Sequence, residues 1–296
     1  MILKDDVHHP NDVSMKYMQI MQPEKLYHYL NLPGEFDRTY PNKLIRRDGS
    51  EREMDWLCLV KPDYEVLFEE ILVNIEFQSK SVNLGKIRTI ADYRDYAKTN
   101  YGLPVLSVIV INVDPRNSVK QFEKTSSDIL KPLYIYIDGE EVKERFKNLE
   151  IKINNHENLN DDEALDIAFL PMFAPKGEAK KITEEITYLF KKDSSIKGKL
   201  RNDVAYVLAI MIRKYFDGTK KGKELLNMVE NVVRKSDLID VIEYELDYRD
   251  KTMKRELKNL EKEFAAEKDA EIARITAEKD AEIAELKAKL KENGID

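Results

Sequence analysis

Two acidic side chains stand where strands normally exclude them. The run V-N-I-E-F-Q-S-K, Val73 to Lys80, alternates so that Val73, Ile75 and Phe77 share one face of a strand and Asn74, Glu76 and Gln78 the other. The apolar set feeds a core, but packing gives no reason for a carboxylate and an amide opposite it. A second strand-like run, M-D-W-L-C-L-V from Met54 to Val60, carries Asp55. Aspartate suits strand interiors poorly, and an unpaired buried carboxylate is costly. Two acids on adjacent strands, with a polar residue two places beyond the second, point to a divalent-metal site for phosphodiester chemistry.

Mg²⁺ (or Mn²⁺) takes oxygen ligands, usually one or two carboxylates plus water and substrate phosphate. Asp55 and Glu76 supply the carboxylates, and the backbone carbonyl of Phe77 a third oxygen. Such a cation lowers the pKa of bound water and offsets charge growing on the phosphate. Gln78, on the face of Glu76, can orient that water or a phosphate oxygen. It serves neither as a cation nor readily as a base.

The elements that must hold these residues follow from pattern. Residues from about 11 to 30 read as helical, interrupted at Pro23. Asp48-Gly49 reads as a hairpin turn before the Asp55 strand, and Pro62-Asp63 as the turn after it. The next strand spans Leu67 to Gln78. A helix covers Asn83 to Tyr101 and stops at Gly102; Val105 to Ile111 then reads as a strand covered on both faces. A further strand, Leu133 to Ile137, ends at Asp138-Gly139. The expected fold class is α/β: a mixed sheet flanked by helices over residues 1–150, then a helical region over 160–250. Residues 251–296 form a charged helix in which A-E-K-D-A-E-I-A recurs after eleven residues, at Ala266 and Ala277. That spacing suits a straight or slightly right-handed coil, so homodimerisation through this helix stands beside a lone solvated helix.

Composition bounds the rest. One cysteine, Cys58, excludes an internal disulfide or a Cys-rich zinc site, and the four histidines show no ligand spacing. There is no signal-peptide pattern, and no apolar run nears the roughly 20 residues that span a bilayer, so a cytoplasmic protein is expected. The net charge of −7 opposes nonspecific nucleic-acid binding. From Lys80 to Tyr101, however, five Lys or Arg face only two acids, and Arg88 and Arg94 there are candidate contacts to DNA phosphate. P-loop, nucleophile-elbow and dinucleotide motifs are absent.

An Asp in one strand followed by E-x-Q in the next resembles the PD-(D/E)XK nuclease superfamily. More narrowly, Glu76-Phe77-Gln78-Ser79 is similar to the E-x-Q-S of its transposase-related, recombination-promoting branch. The helix with Arg88, Tyr93 and Arg94, the run Tyr101 to Val110, and Asn11-Asp12 with Lys16 near the start agree with it. The resemblance covers roughly residues 10 to 140. It implies a restriction-endonuclease-like fold and metal-dependent DNA cleavage linked to mobile elements or recombination. Two departures stand out. No proline precedes Asp55, and Gln78 replaces the lysine that would stabilise the phosphate. Lys80 keeps the parity of Glu76 provided the strand runs that far, and its ammonium then fills the role. Asp12 is either a helix N-cap or a further site acid. The rival reading is a catalytically weak nuclease-fold protein, acting as a DNA- or protein-binding adaptor through its coiled tail.

Overall fold

The computed structural model describes residues 10–45, 51–62 and 69–230, together with Lys279. Helices α1 (Pro10–Met21) and α2 (Pro23–Tyr29) are separated at Gln22, with Pro23 opening α2. Proline is tolerated there because a first-turn N–H has no intrahelical partner. Strands β1 (Glu35–Tyr40), β2 (Lys43–Ile45), β3 (Glu51–Glu53), β4 (Trp56–Lys61) and β5 (Ile71–Gln78) follow. β2 and β3 pair antiparallel, as a hairpin turned at Asp48-Gly49 requires, although that dipeptide lies outside the described residues. So does Asp63 of the expected Pro62-Asp63 turn.

Helix α3 (Leu84–Tyr101) starts at Asn83, whose side chain accepts the Lys86 N–H, and stops at Gly102 in the left-handed conformation (φ 68°). Then come β6 (Val105–Ile111), the small hairpin β7 (Phe122–Thr125) and β8 (Asp128–Leu130), and β9 (Leu133–Tyr136). Helices α4 (Gly139–Asn154), α5 (Asp161–Phe173), α6 (Ala179–Lys192), α7 (Gly198–Phe216) and α8 (Lys220–Glu230) complete the described chain.

The main sheet runs β1-β4-β5-β6-β9. β1, β4 and β5 pair antiparallel, while β5, β6 and β9 pair parallel, so the sheet is mixed. The α/β architecture is therefore as expected. α3 covers one face, its Ile87, Ile90 and Ala91 packing on Ile109 and Ile111 and its Tyr93 and Ala97 on Leu57, Leu59 and Leu72. On the other face Trp56 meets Tyr27 of α2 edge-on at 6.1 Å. In β6, Val108, Ile109, Val110 and Ile111 are all buried, so both faces of its carboxyl half are covered, as its unbroken apolar sequence requires.

The later helices share this second layer. α5 is buried at every position from Ala164 to Phe173, and it packs against α2, α4, α6 and α7. α7 also packs on α1, where Asp203 accepts hydrogen bonds from Tyr17 (2.7 Å) and Gln22 (2.6 Å). All described residues from 10 to 230 fall in one compact unit. The charged helix expected at 251–296 lies outside the described residues, apart from Lys279. Among the described residues no helix is long and apolar enough to cross a membrane.

Candidate active site

Register brings the two acids together. Trp56 pairs with Ile75, so the residue before β4, Asp55, lies opposite Glu76. The Asp55 N–H donates to Glu76 Oε1 (3.3 Å), and Asp55 Oδ2 accepts from the Phe77 N–H (2.8 Å). Each carboxylate therefore holds the other's strand. Glu76 is 1% exposed. Both lie toward the carboxyl end of β5, beside the start of α3. The crevice at strand carboxyl ends is where open α/β sheets commonly carry ligands.

The cation at this site is Lys86, whose Nζ stands 2.7 Å from Glu76 Oε2. The Asn83 cap fixes the first turn of α3, and that turn aims Lys86 back over the strand end. Lys86 is the residue beside Glu76 that strand parity misses. Its signal was local: an N-cap asparagine three residues before a lysine. Lys80 takes no such place. β5 ends at Gln78, Ser79 and Lys80 lie in an exposed bend, and the alternation that would have aligned Lys80 with Glu76 does not extend to it.

Charge is crowded here. Burial, then the Asp55 charge, pushes the Glu76 carboxyl up to about 7; Lys86 pulls it down, but by less. Burial likewise raises Asp55, against the Phe77 N–H and Lys86, and the Asp12 charge raises it further. Burial lowers the Lys86 ammonium, but the Glu76 charge, its hydrogen bond to Glu76 and the Asp55 charge together outweigh that, so its pKa ends above the ordinary value. Asp12 lies inside the first turn of α1 rather than capping it, and pairs with Lys16 at 3.7 Å. Helix α1 thus brings an acid and a base into the field of Asp55.

The remaining candidates divide. Gln78 is half-buried at the end of β5. Arg88 is exposed and lies over the Phe122 ring at 5.7 Å. Arg94 is engaged by Asp95 (2.8 Å) and Asp128 (2.5 Å), an arrangement that ties α3 to β8. No family model, curated protein or solved structure matches this chain.

The donor chemistry suits a hard divalent cation. A half-buried Asp55 beside a buried Glu76, with one ammonium near both charges, leaves unbalanced negative charge partly out of water. Among the described residues no group of three or more His, Cys, Asp and Glu gathers as a metal cluster. A cation held here would meet two carboxylates, Asp55 and Glu76, and would need neutral oxygens for its other positions, a pattern Mg²⁺ accepts with water and phosphate.

Proposed function

We propose that the chain is a divalent-metal-dependent DNA endonuclease that hydrolyses phosphodiester bonds, related to the recombination-promoting nucleases its E-x-Q-S motif resembles. The observation that carries this reading is the pairing of half-buried Asp55 with buried Glu76, each acid bonded to the other's strand and Glu76 met by Lys86. A cation held there, Mg²⁺ or Mn²⁺, would supply an activated water and charge stabilisation. Asp55 and Glu76 would hold it, with the Phe77 carbonyl beside them. Gln78 would orient a water or a phosphate oxygen through its amide. Lys86 would release Glu76 and place its ammonium by the phosphate oxygens, the role that Gln78 cannot fill. The finer expectations go with this proposal: a restriction-endonuclease-like fold, DNA as partner, a cytoplasmic location and a homodimer through the C-terminal helix.

A second reading has its own support. Lys86 already neutralises Glu76, so the trio can serve as an internal ion pair in a protein that binds DNA or a partner without cutting. The deciding experiment is plasmid cleavage with Mg²⁺ or Mn²⁺, against EDTA and against Asp55→Ala. Metal-dependent nicking that the variant loses supports the nuclease; equal faint cutting by both proteins leaves the adaptor.

A further inference from the structure

A cleft of roughly 370 Å³ opens between the start of α1, the ends of β5 and β6, and helices α5 and α7. Phe77, Val110, Met172 and Phe173 form its apolar wall. Phe77 and Gln78, which line it, directly follow Glu76 in sequence; Asp12, also in its lining, is the acid whose charge acts on Asp55. The cleft thus adjoins the end of the strand that carries Glu76, although neither Asp55 nor Glu76 lines it.

Two polar groups in this lining lack the partners their chemistry calls for. Among the described residues the buried Asn112 Oδ1 accepts no hydrogen bond, although the Asn112 backbone N–H continues the ladder to the Gln78 carbonyl (3.2 Å). A buried acceptor left unmade carries a desolvation cost that a ligand donor would recover. Lys214 reaches into the cleft from α7 and donates to Asn11 Oδ1 at 2.8 Å. It pairs with no carboxylate among the described residues. Lys214 as a residue is exposed, yet the protein around its ammonium lowers its pKa to about 8, so it remains charged at neutrality.

We propose that this cleft binds one nucleotide, its base against the Phe77–Val110–Phe173 wall with an exocyclic amine on Asn112, and its phosphate on Lys214. Pockets for small ligands run from about 300 Å³ upward, so the space suits a single nucleotide rather than two. The choice of a nucleotide over another aromatic anion rests on the nuclease reading above. The same chemistry is offered by a free 5′-mononucleotide and by one nucleotide turned out of a strand, as enzymes that read single bases arrange.

The test is calorimetric titration of the full chain in EDTA with each deoxynucleoside 5′-monophosphate, the matching deoxynucleosides and inorganic phosphate. Saturable binding is expected of a nucleotide whose base carries an exocyclic amine (adenine, cytosine or guanine), in preference to the thymine nucleotide. It should weaken about ten-fold or more without the phosphate, and by a similar factor in Lys214→Met and in Asn112→Ala, each change being worth at least one tenfold step in Kd. A short single strand that competes assigns the cleft to a nucleotide of a strand, and one that fails to compete assigns it to a free nucleotide. No saturation by any of the four at about 10 mM, or equal affinity in wild type and both variants, overturns the proposal. Circular dichroism melting shows that each variant is folded, and Asn112→Ala stands alone if Lys214→Met is not. Metal-dependent cleavage without nucleotide binding would remove this inference and leave the nuclease; nucleotide binding without cleavage would do the reverse.

Discussion

Lys86 Nζ and Glu76 Oε2 stand 2.7 Å apart across a gap that sequence alternation does not bridge, one on the first turn of α3 and the other inside β5. If the pair is the working cation and carboxylate of a nuclease, Lys86→Ala should lower single-turnover cleavage by about 100-fold or more, the usual loss for a positioned charge-stabilising group. Lys80→Ala should leave it unchanged. Equal effects of the two substitutions in a plasmid-nicking time course would remove Lys86 from the mechanism.

Glu76 gives a pH signature to the metal-free protein. Its folded-state pKa, about 7, lies above the ordinary carboxyl value of 4.5. The native state therefore holds a proton that the unfolded chain releases. The resulting stabilisation is complete below about 4.5 and is lost as pH rises through about 7, at up to roughly 1.4 kcal/mol per pH unit. Urea midpoints in EDTA should fall across that window, and Glu76→Gln should flatten the fall. Added Mg²⁺ should raise the midpoint more at pH 8 than at pH 5, because the ion needs the ionised acid. A flat profile in the parent protein would contradict the crowding of Glu76 with Asp55.

Asp55 has a structural duty that can be separated from a chemical one. Its Oδ2 accepts the Phe77 N–H, a bond that Asp55→Ala abolishes and Asp55→Asn can keep through its carbonyl oxygen. The alanine variant should lose about 1 kcal/mol and the asparagine variant less. Cleavage should vanish in both. Chemical denaturation beside the nicking assay reads the two effects independently, and retained cutting in Asp55→Asn would end the metal role assigned to the carboxylate.

Asn74 is fully buried, two residues before Glu76, and neither amide atom has a partner among the described residues. Its register partner on β6, Ser107, carries an equally unpartnered hydroxyl. Asn74→Leu, close in volume, should stabilise the fold by about 1 kcal/mol by removing a desolvated amide. A loss of that size in a urea titration would instead mean that an internal water joins the two side chains.

How much of this was legible follows the range of the forces involved. The alternation of β5, the helix break at Pro23, the hairpin pairing and the limits of α3 at Asn83 and Gly102 are set within a few residues, and local chemistry gave them away. The juxtaposition of Asp55 with Glu76 followed from the expectation that their strands are neighbours. β1 was not anticipated: Glu35–Tyr40 is a mostly exposed edge strand with little alternating burial. Lys86 escaped because a helix start, not a strand, delivers it. Arg94 looked like a free cation in sequence, but Asp128, thirty-four residues on, engages it. Lys214 and Asn112 enter one cleft only through the packing of α7 on α1 and the end of β6, contacts that no spacing encodes.

The Asp203 carboxylate, which holds both Tyr17 and Gln22, has a thermal consequence. Helix α1 carries Asp12 and Lys16, and its seating depends on a residue of α7 nearly two hundred positions away. Loosening α7 would swing α1 out of the field of Asp55 while the sheet, with its own ladder of backbone bonds, stayed intact. On heating, the surroundings of Asp55 would then depend on the helical layer as much as on the strands that carry it.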